Sequence, residues 1–148
     1  MDSSAIGCSR IAHRAARTCA AWFGEHSEEF YHAERIASNF PKDDQCRCVA
    51  WLHDLIENKP LSLNDIERSF GPDIRRDVDA LTRRDGEVYA DYIARVCASG
   101  DVPRRVKIED VLDNLTRPGC EARPQSERLR WARALVKLLE AAPHDPSA

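Results

Sequence analysis

No stretch of this chain approaches the roughly 20 apolar residues that a membrane-spanning helix needs. Met1 to Arg10 also lacks a basic segment followed by a long apolar run, the pattern of a secretory leader. The expectation is a cytoplasmic protein that does not enter a membrane. A basic excess is missing as well. The formal charge is −3, which gives no general reason to expect a nucleic acid or an anionic membrane as partner, because both favour positive charge. Proline and glycine are not enriched and no segment is compositionally biased. With 43% apolar and 32% charged residues, the chain should fold rather than stay disordered. Nowhere does it show the period-two alternation of a half-buried strand.

What is present is apolar spacing of three and four residues along almost the whole length, which predicts an all-α protein. At 148 residues it fits one domain, residues 1–148, with a core over about 9–141 and a frayed tail over 142–148. Helices are predicted over about Ser9–Phe23, Glu28–Asn39 and Asp43–Asn58, then from the Ser62-Leu63-Asn64-Asp65 cap to Phe70-Gly71. Further helices should run over about Asp73–Arg83, Val88–Ser99, Val102–Arg117 and Gln125–Ala141. Asp85-Gly86 reads as a turn. Six cysteines, at positions 8, 19, 46, 48, 97 and 120, should be reduced, since most fall in helical segments and there is no leader. Cys46 and Cys48 would point about 200° apart on a helix, a poor arrangement for one zinc ion, and read as small core residues.

The chemistry-bearing residues lie on three of these helices. His53-Asp54 puts an imidazole and a carboxylate side by side, and Glu57 follows within one turn, where a carboxylate near activated water could act as general base. Lys107, Asp110 and Asn114 form a polar stripe on the penultimate long helix, beside an apolar stripe of Ile108, Val111, Leu112 and Leu115. Packing the apolar stripe inward would leave the polar one at the margin of the core. His32 is a further candidate ligand; His13 and His26 are of the same type, and spacing does not choose among the three. Two imidazoles and two carboxylates suit Mn²⁺, Fe²⁺ or Zn²⁺. Arg83, Arg84, Arg104 and Arg105 are candidate phosphate contacts by charge.

Taken in order, His32, His53-Asp54-Leu55-Ile56-Glu57-Asn58 and Val106-Lys107-Ile108-Glu109-Asp110-Val111-Leu112-Asp113-Asn114-Leu115 resemble the HD-domain phosphohydrolases, and most of all their RelA/SpoT hydrolase branch. That branch shows H, then HDxxED, then K-x-x-D-x-x-x-N. The connecting Leu63 to Ile74, with its Phe70-Gly71 turn, and Val78 to Thr82 look similar too, so the resemblance spans about Tyr31 to Arg117.

The resemblance implies an all-α HD-domain bundle of about seven to eight helices. It implies one divalent ion, Mn²⁺ first with Fe²⁺, Zn²⁺ or Mg²⁺ as alternatives, held by His32, His53, Asp54 and Asp110. Glu57 would take a proton from the attacking water, while Lys107, Asn114 and arginines including Arg83 and Arg104 would face a small-molecule nucleotide. The activity implied is removal of phosphate or pyrophosphate from a nucleotide, as in a guanosine tetraphosphate 3′-pyrophosphohydrolase. Two departures stand out. Asn58 replaces the second acid of the family's Glu-Asp pair, and Ala20-Ala21-Trp22-Phe23 stands where the family carries an Arg-Lys pair. They leave open hydrolysis of another nucleotide, or a nucleotide-binding module without catalysis. Oligomeric state is not legible in the sequence.

Overall fold

A computed structural model describes residues 9–141. Residues 1–8, Cys8 among them, and the tail over 142–148 with His144 lie outside the described residues. Among the described residues there are nine α-helices, one 3₁₀ turn and no strand. They are α1 (Arg10–Phe23), α2 (Glu28–Ser38), α3 (Asp44–Leu52), α4 (Leu55–Asn58), α5 (Leu63–Phe70), α6 (Pro72–Leu81), α7 (Tyr89–Ala98), α8 (Asp101–Thr116) and α9 (Gln125–Glu140), with the 3₁₀ turn at Cys120–Ala122.

Several helices begin where the sequence offers a side-chain acceptor to the first free amides. Ser9, Ser27 and Asp43 accept from Ala12, Phe30 and Cys46, and Ser62 and Asp65 form a reciprocal capping box. Each such cap contributes about 1 kcal/mol to its helix. Gly71 ends α5 at φ 90° and hands the chain to Pro72, the first residue of α6. Only glycine adopts that backbone conformation without strain. Gly86, at φ 72°, serves the predicted Asp85-Gly86 turn.

α3 is the centre of the bundle, packing against α1, α2, α6 and α8. Its sequence explains this, because Cys46, Cys48, Val49, Ala50, Trp51 and Leu52 are all buried, leaving almost no polar face. The five described cysteines are free thiols, and Cys46 and Cys48 are core residues as expected. The surrounding helices contribute to the same core through Ala15, Ile36, Ile66, Val78, Val96, Val111 and Leu138 among others. Asp77 is buried beneath α3, where Gln45 Nε2 donates to it at 2.6 Å and ties α6 to the central helix.

The continuous helix predicted over Asp43–Asn58 is broken. α3 ends at Leu52, His53 and Asp54 form a turn, and α4 begins at Leu55. His53 Nδ1 donates to the Ala50 carbonyl at 2.6 Å, competing for an oxygen that the helix would otherwise use, and Asp54 relaxes to φ −99°, ψ −5°. Among the described residues the segment predicted as one helix is thus two, within the expected all-α bundle.

Candidate metal centre and the adjoining groove

The break between α3 and α4 sets the site. It turns the side chains of His53 and Asp54 to one side, with His53 Nε2 3.2 Å from Asp54 Oδ2. Because His53 Nδ1 carries the hydrogen given to Ala50, Nε2 is the ring nitrogen left with a lone pair. It is buried and has no hydrogen-bond partner.

α2 supplies His32 from the other side. Its Nδ1 donates to Asp113 Oδ2 at 2.6 Å, and Arg35, one turn along α2, holds the same carboxylate through Nε at 2.7 Å and Nη2 at 3.0 Å. His32 Nε2 therefore points inward, 2.9 Å from Asp110 Oδ1 and 3.8 Å from Asp54 Oδ2. Asp110 Oδ1 is also 3.7 Å from His53 Nε2. His13 and His26, the other candidates by residue type, are exposed on the surface.

α8 does not pack as an ordinary amphipathic helix. Asp110 is buried together with Pro103, Arg104, Val106 and Val111, while Ile108, Leu112 and Leu115 are only half-buried. The polar stripe predicted for the margin thus turns into the protein. Lys107 Nζ donates to Asp110 Oδ2 at 2.6 Å and lies 5.0 Å from the centre of the Tyr92 ring, and Asn114 Nδ2 donates to Asp110 Oδ1 at 3.3 Å.

This arrangement fits a divalent cation. Two imidazole nitrogens and two carboxylate oxygens converge here, and although Lys107 and Asn114 donate to Asp110, no donor reaches His53 Nε2, whose buried lone pair a cation would satisfy. Donors about 2.1 Å from a shared ion lie about 3–4 Å from one another, the range spanned by the 2.9, 3.2, 3.7 and 3.8 Å separations. His32, His53 and Asp110 form a buried cluster able to hold such an ion. The local field is strongly negative. Burial lowers the His53 pKa, yet Asp54 and Asp110 outweigh it and hold the imidazole well above its ordinary value. Burial likewise raises the Asp110 pKa, but Lys107 and the two histidines hold that carboxyl well below the usual range.

Outside the cluster a groove of about 840 Å³ runs along Ile56, Glu57, Thr82, Arg83, Arg84 and the Asp85–Val88 turn. Glu57 stands on its edge, with Oε1 accepting the Arg83 backbone N–H. Partial desolvation of the carboxylate, opposed by that hydrogen bond, raises its pKa above the ordinary value. Asn58 is exposed, and its Nδ2 donates to the Asp54 backbone carbonyl at 2.7 Å, so it braces the turn. Arg83 is held by the Glu87 carbonyl and lies 5.4 Å from the Tyr89 ring centre. Arg130 stacks 4.6 Å from the same ring. Arg104 goes elsewhere: it is buried and pairs with Asp101 on its own helix at 2.7 Å, with no contact to the cluster. Arg105 pairs with Asp43 and Asp101, and Arg84 with Asp79.

Three residues of this neighbourhood escaped the reading of the sequence. Asp113 and Arg35 orient His32, and each lies three residues after a cluster residue, the spacing of one helical face. That shared spacing was the available signal. Tyr89, whose buried hydroxyl has no partner, carried none.

Among solved structures the chain matches that of a metazoan ortholog of SpoT, described as hydrolyzing ppGpp and playing a role in starvation responses. The TM-score is 0.75 at 20% identity, over 93% of this chain and 88% of that one. The all-α fold implied by the motif resemblance is thus the fold this comparison shows. No known protein-family profile and no curated protein sequence matches the chain. Among the described residues no helix is long and apolar enough to cross a membrane.

Proposed function

We propose that this chain acts as a cytoplasmic, single-domain, metal-dependent phosphohydrolase that removes phosphate or pyrophosphate from a small nucleotide, guanosine tetraphosphate first among the substrates to try. The observation that carries this reading is the convergence of His32 Nε2, His53 Nε2, Asp54 Oδ2 and Asp110 Oδ1 from three parts of the chain. The shared fold with a protein that hydrolyzes ppGpp supports the choice of substrate.

His32, His53, Asp54 and Asp110 hold the ion, Mn²⁺ before Fe²⁺, Zn²⁺ or Mg²⁺. When bound, a divalent ion supplies the positive charge that eases loss of a proton from water and polarises a phosphoryl oxygen. Asp113 fixes the His32 ring so that Nε2 stays directed inward, and Ala50 does the same for His53. Glu57 receives the proton of the attacking water at Oε2, since Oε1 is engaged by Arg83. The water oxygen bonds to phosphorus as the bond to the nucleoside oxygen breaks, and that oxygen leaves to be protonated from solvent. Arg83 faces the phosphate oxygens along the groove, and Asn114 and Lys107 keep Asp110 ionised and oriented.

One observation favours a second reading, a nucleotide-binding module without turnover. The position where the resembling enzymes carry a second acid is Asn58, and its amide is committed to the backbone. Incubation of the purified protein and Mn²⁺ with guanosine tetraphosphate, nucleoside triphosphates and monophosphates separates the two. Release of pyrophosphate from guanosine tetraphosphate is the expected result. Release of phosphate from a different nucleotide reassigns the substrate, binding without release supports the module, and neither binding nor release defeats both.

A further inference from the structure

α1 carries positive charge that no carboxylate among the described residues offsets. It includes Arg10, Arg14 and Arg17 and no acidic side chain, although the chain as a whole has a formal charge of −3. Spacings of four and three place the three arginines in one line, on the face opposite the buried Ala12, Ala15 and Cys19. Like charges at that spacing repel, and Arg10 stands at the end of the helix where the macrodipole favours negative charge. Arginines on other helices, Arg35, Arg47, Arg75, Arg84 and Arg105 among them, each reach a carboxylate.

Arg14 and Arg17 face α5 across a groove of about 500 Å³, lined also by Thr18, Arg68 and Phe70. Arg14 is fixed there without being neutralised. Its Nη2 donates to the Ser69 backbone carbonyl in the last turn of α5, and the guanidinium stands 5.3 Å from the centre of the Phe70 ring. Arg68 pairs with Asp65, a carboxylate already engaged by the Ser62 amide and hydroxyl in the α5 capping box. The exposed Arg17 side chain makes no hydrogen bond or ion pair among the described residues, which leaves its whole fork of donors to a ligand. A guanidinium grips one phosphoryl group through two parallel hydrogen bonds, so several around one groove suit an anion with more than one phosphoryl group. An extended polyanion fits less well, since beyond Arg17 the exposed surface turns acidic at Glu25, Glu28 and Glu29.

We infer that the groove between α1 and α5 is an anion-binding site that takes a pyrophosphoryl group, as the free anion or carried by a nucleotide. No residue of the metal cluster lines it, and it does not depend on the reaction assigned to that cluster. Because the arginines are exposed, binding should weaken as salt is added.

Titration calorimetry of inorganic pyrophosphate into the metal-free full chain at low ionic strength tests the inference, with circular dichroism on every variant. The wild type should bind with a dissociation constant on the order of 0.1–1 mM. Arg17→Gln should weaken this about tenfold, and it removes a side chain that carries no bond of the fold. Arg14→Gln should weaken it at least as much; Arg17→Gln remains decisive if loss of the Ser69 contact disturbs α5. Arg133→Gln, an equal loss of charge on the exposed side of α9, should leave affinity within about twofold. Guanosine diphosphate binding more tightly than pyrophosphate would assign the group to a nucleotide, and weaker or equal binding to the free anion. No binding by the wild type, unchanged affinity in Arg17→Gln, equal weakening by Arg133→Gln, or equal affinity for sulfate would each overturn the proposal. So would binding that is lost in Arg83→Gln and kept in Arg17→Gln, which places the anion in the groove beside the metal cluster.

Discussion

The metal cluster and the groove beside it are a few residues apart in sequence and built on different principles. In the cluster every side chain is buried or half-buried, and three of the four are held by a residue outside it: His32 by Asp113, His53 by Ala50, Asp110 by Lys107 and Asn114. In the groove Glu57, Asn58 and Arg83 are exposed, and each is tied to a backbone group rather than to another side chain of the site. A buried polar set must be complete, because an unmatched lone pair costs several kcal/mol. An exposed one tolerates replacement, since water satisfies whatever is left over. The departure from the resembling family at Asn58 falls on the tolerant side of that boundary.

The comparison breaks most visibly if the two regions can be damaged separately. Glu57→Gln should lower turnover on the order of 10²–10⁴-fold while leaving metal content unchanged, as measured by steady-state kinetics beside elemental analysis. A parallel loss of metal would merge the two regions. Asp113→Asn should weaken Mn²⁺ binding about 10–100-fold, because the amide accepts a weaker hydrogen bond from His32 Nδ1. Calorimetric titration reads this directly, and unchanged affinity would remove Asp113 from the site. Asn58→Asp should change turnover by less than about tenfold, since the side chain braces the turn instead of entering the cluster. A large gain would place position 58 in the chemistry after all.

The smallest effect lies at the far side of the groove. Glu87 accepts from Arg95 through both oxygens and from the Arg84 backbone, and these bonds hold its carboxyl down to about 2. Its contribution to stability is therefore present above its unfolded value near 4.5 and lost as pH falls toward 2. Denaturant midpoints of wild type and Glu87→Gln should differ by a constant amount at neutral pH and converge across that interval. A gap that persists at pH 2 would assign the effect to something other than the carboxylate.

The sequence carried most of the fold because apolar spacing and caps such as Ser27 and Ser62 act locally. It carried the candidate cluster through the order of the motifs, which local propensity alone would not have supplied. What it hid are the consequences of packing. His32 could not be told from His13 or His26 until burial separated them. The break at His53 arises from a side-chain bond to Ala50 that competes with a good helical pattern. α8 turns Asp110 inward against its apolar periodicity, where Lys107 and Asn114 of the same helix donate to it. Arg104 looked available by charge, but its position on α8 commits it to Asp101.

The account stands on one ion bridging α2, the α3–α4 turn and α8. Titration calorimetry of Mn²⁺ into metal-stripped wild type and His53→Ala, with circular dichroism to establish that both are folded, examines this most directly. The expected result is one ion per wild-type chain and affinity lower by more than about 100-fold in the variant. Equal affinity in a folded His53→Ala would contradict it.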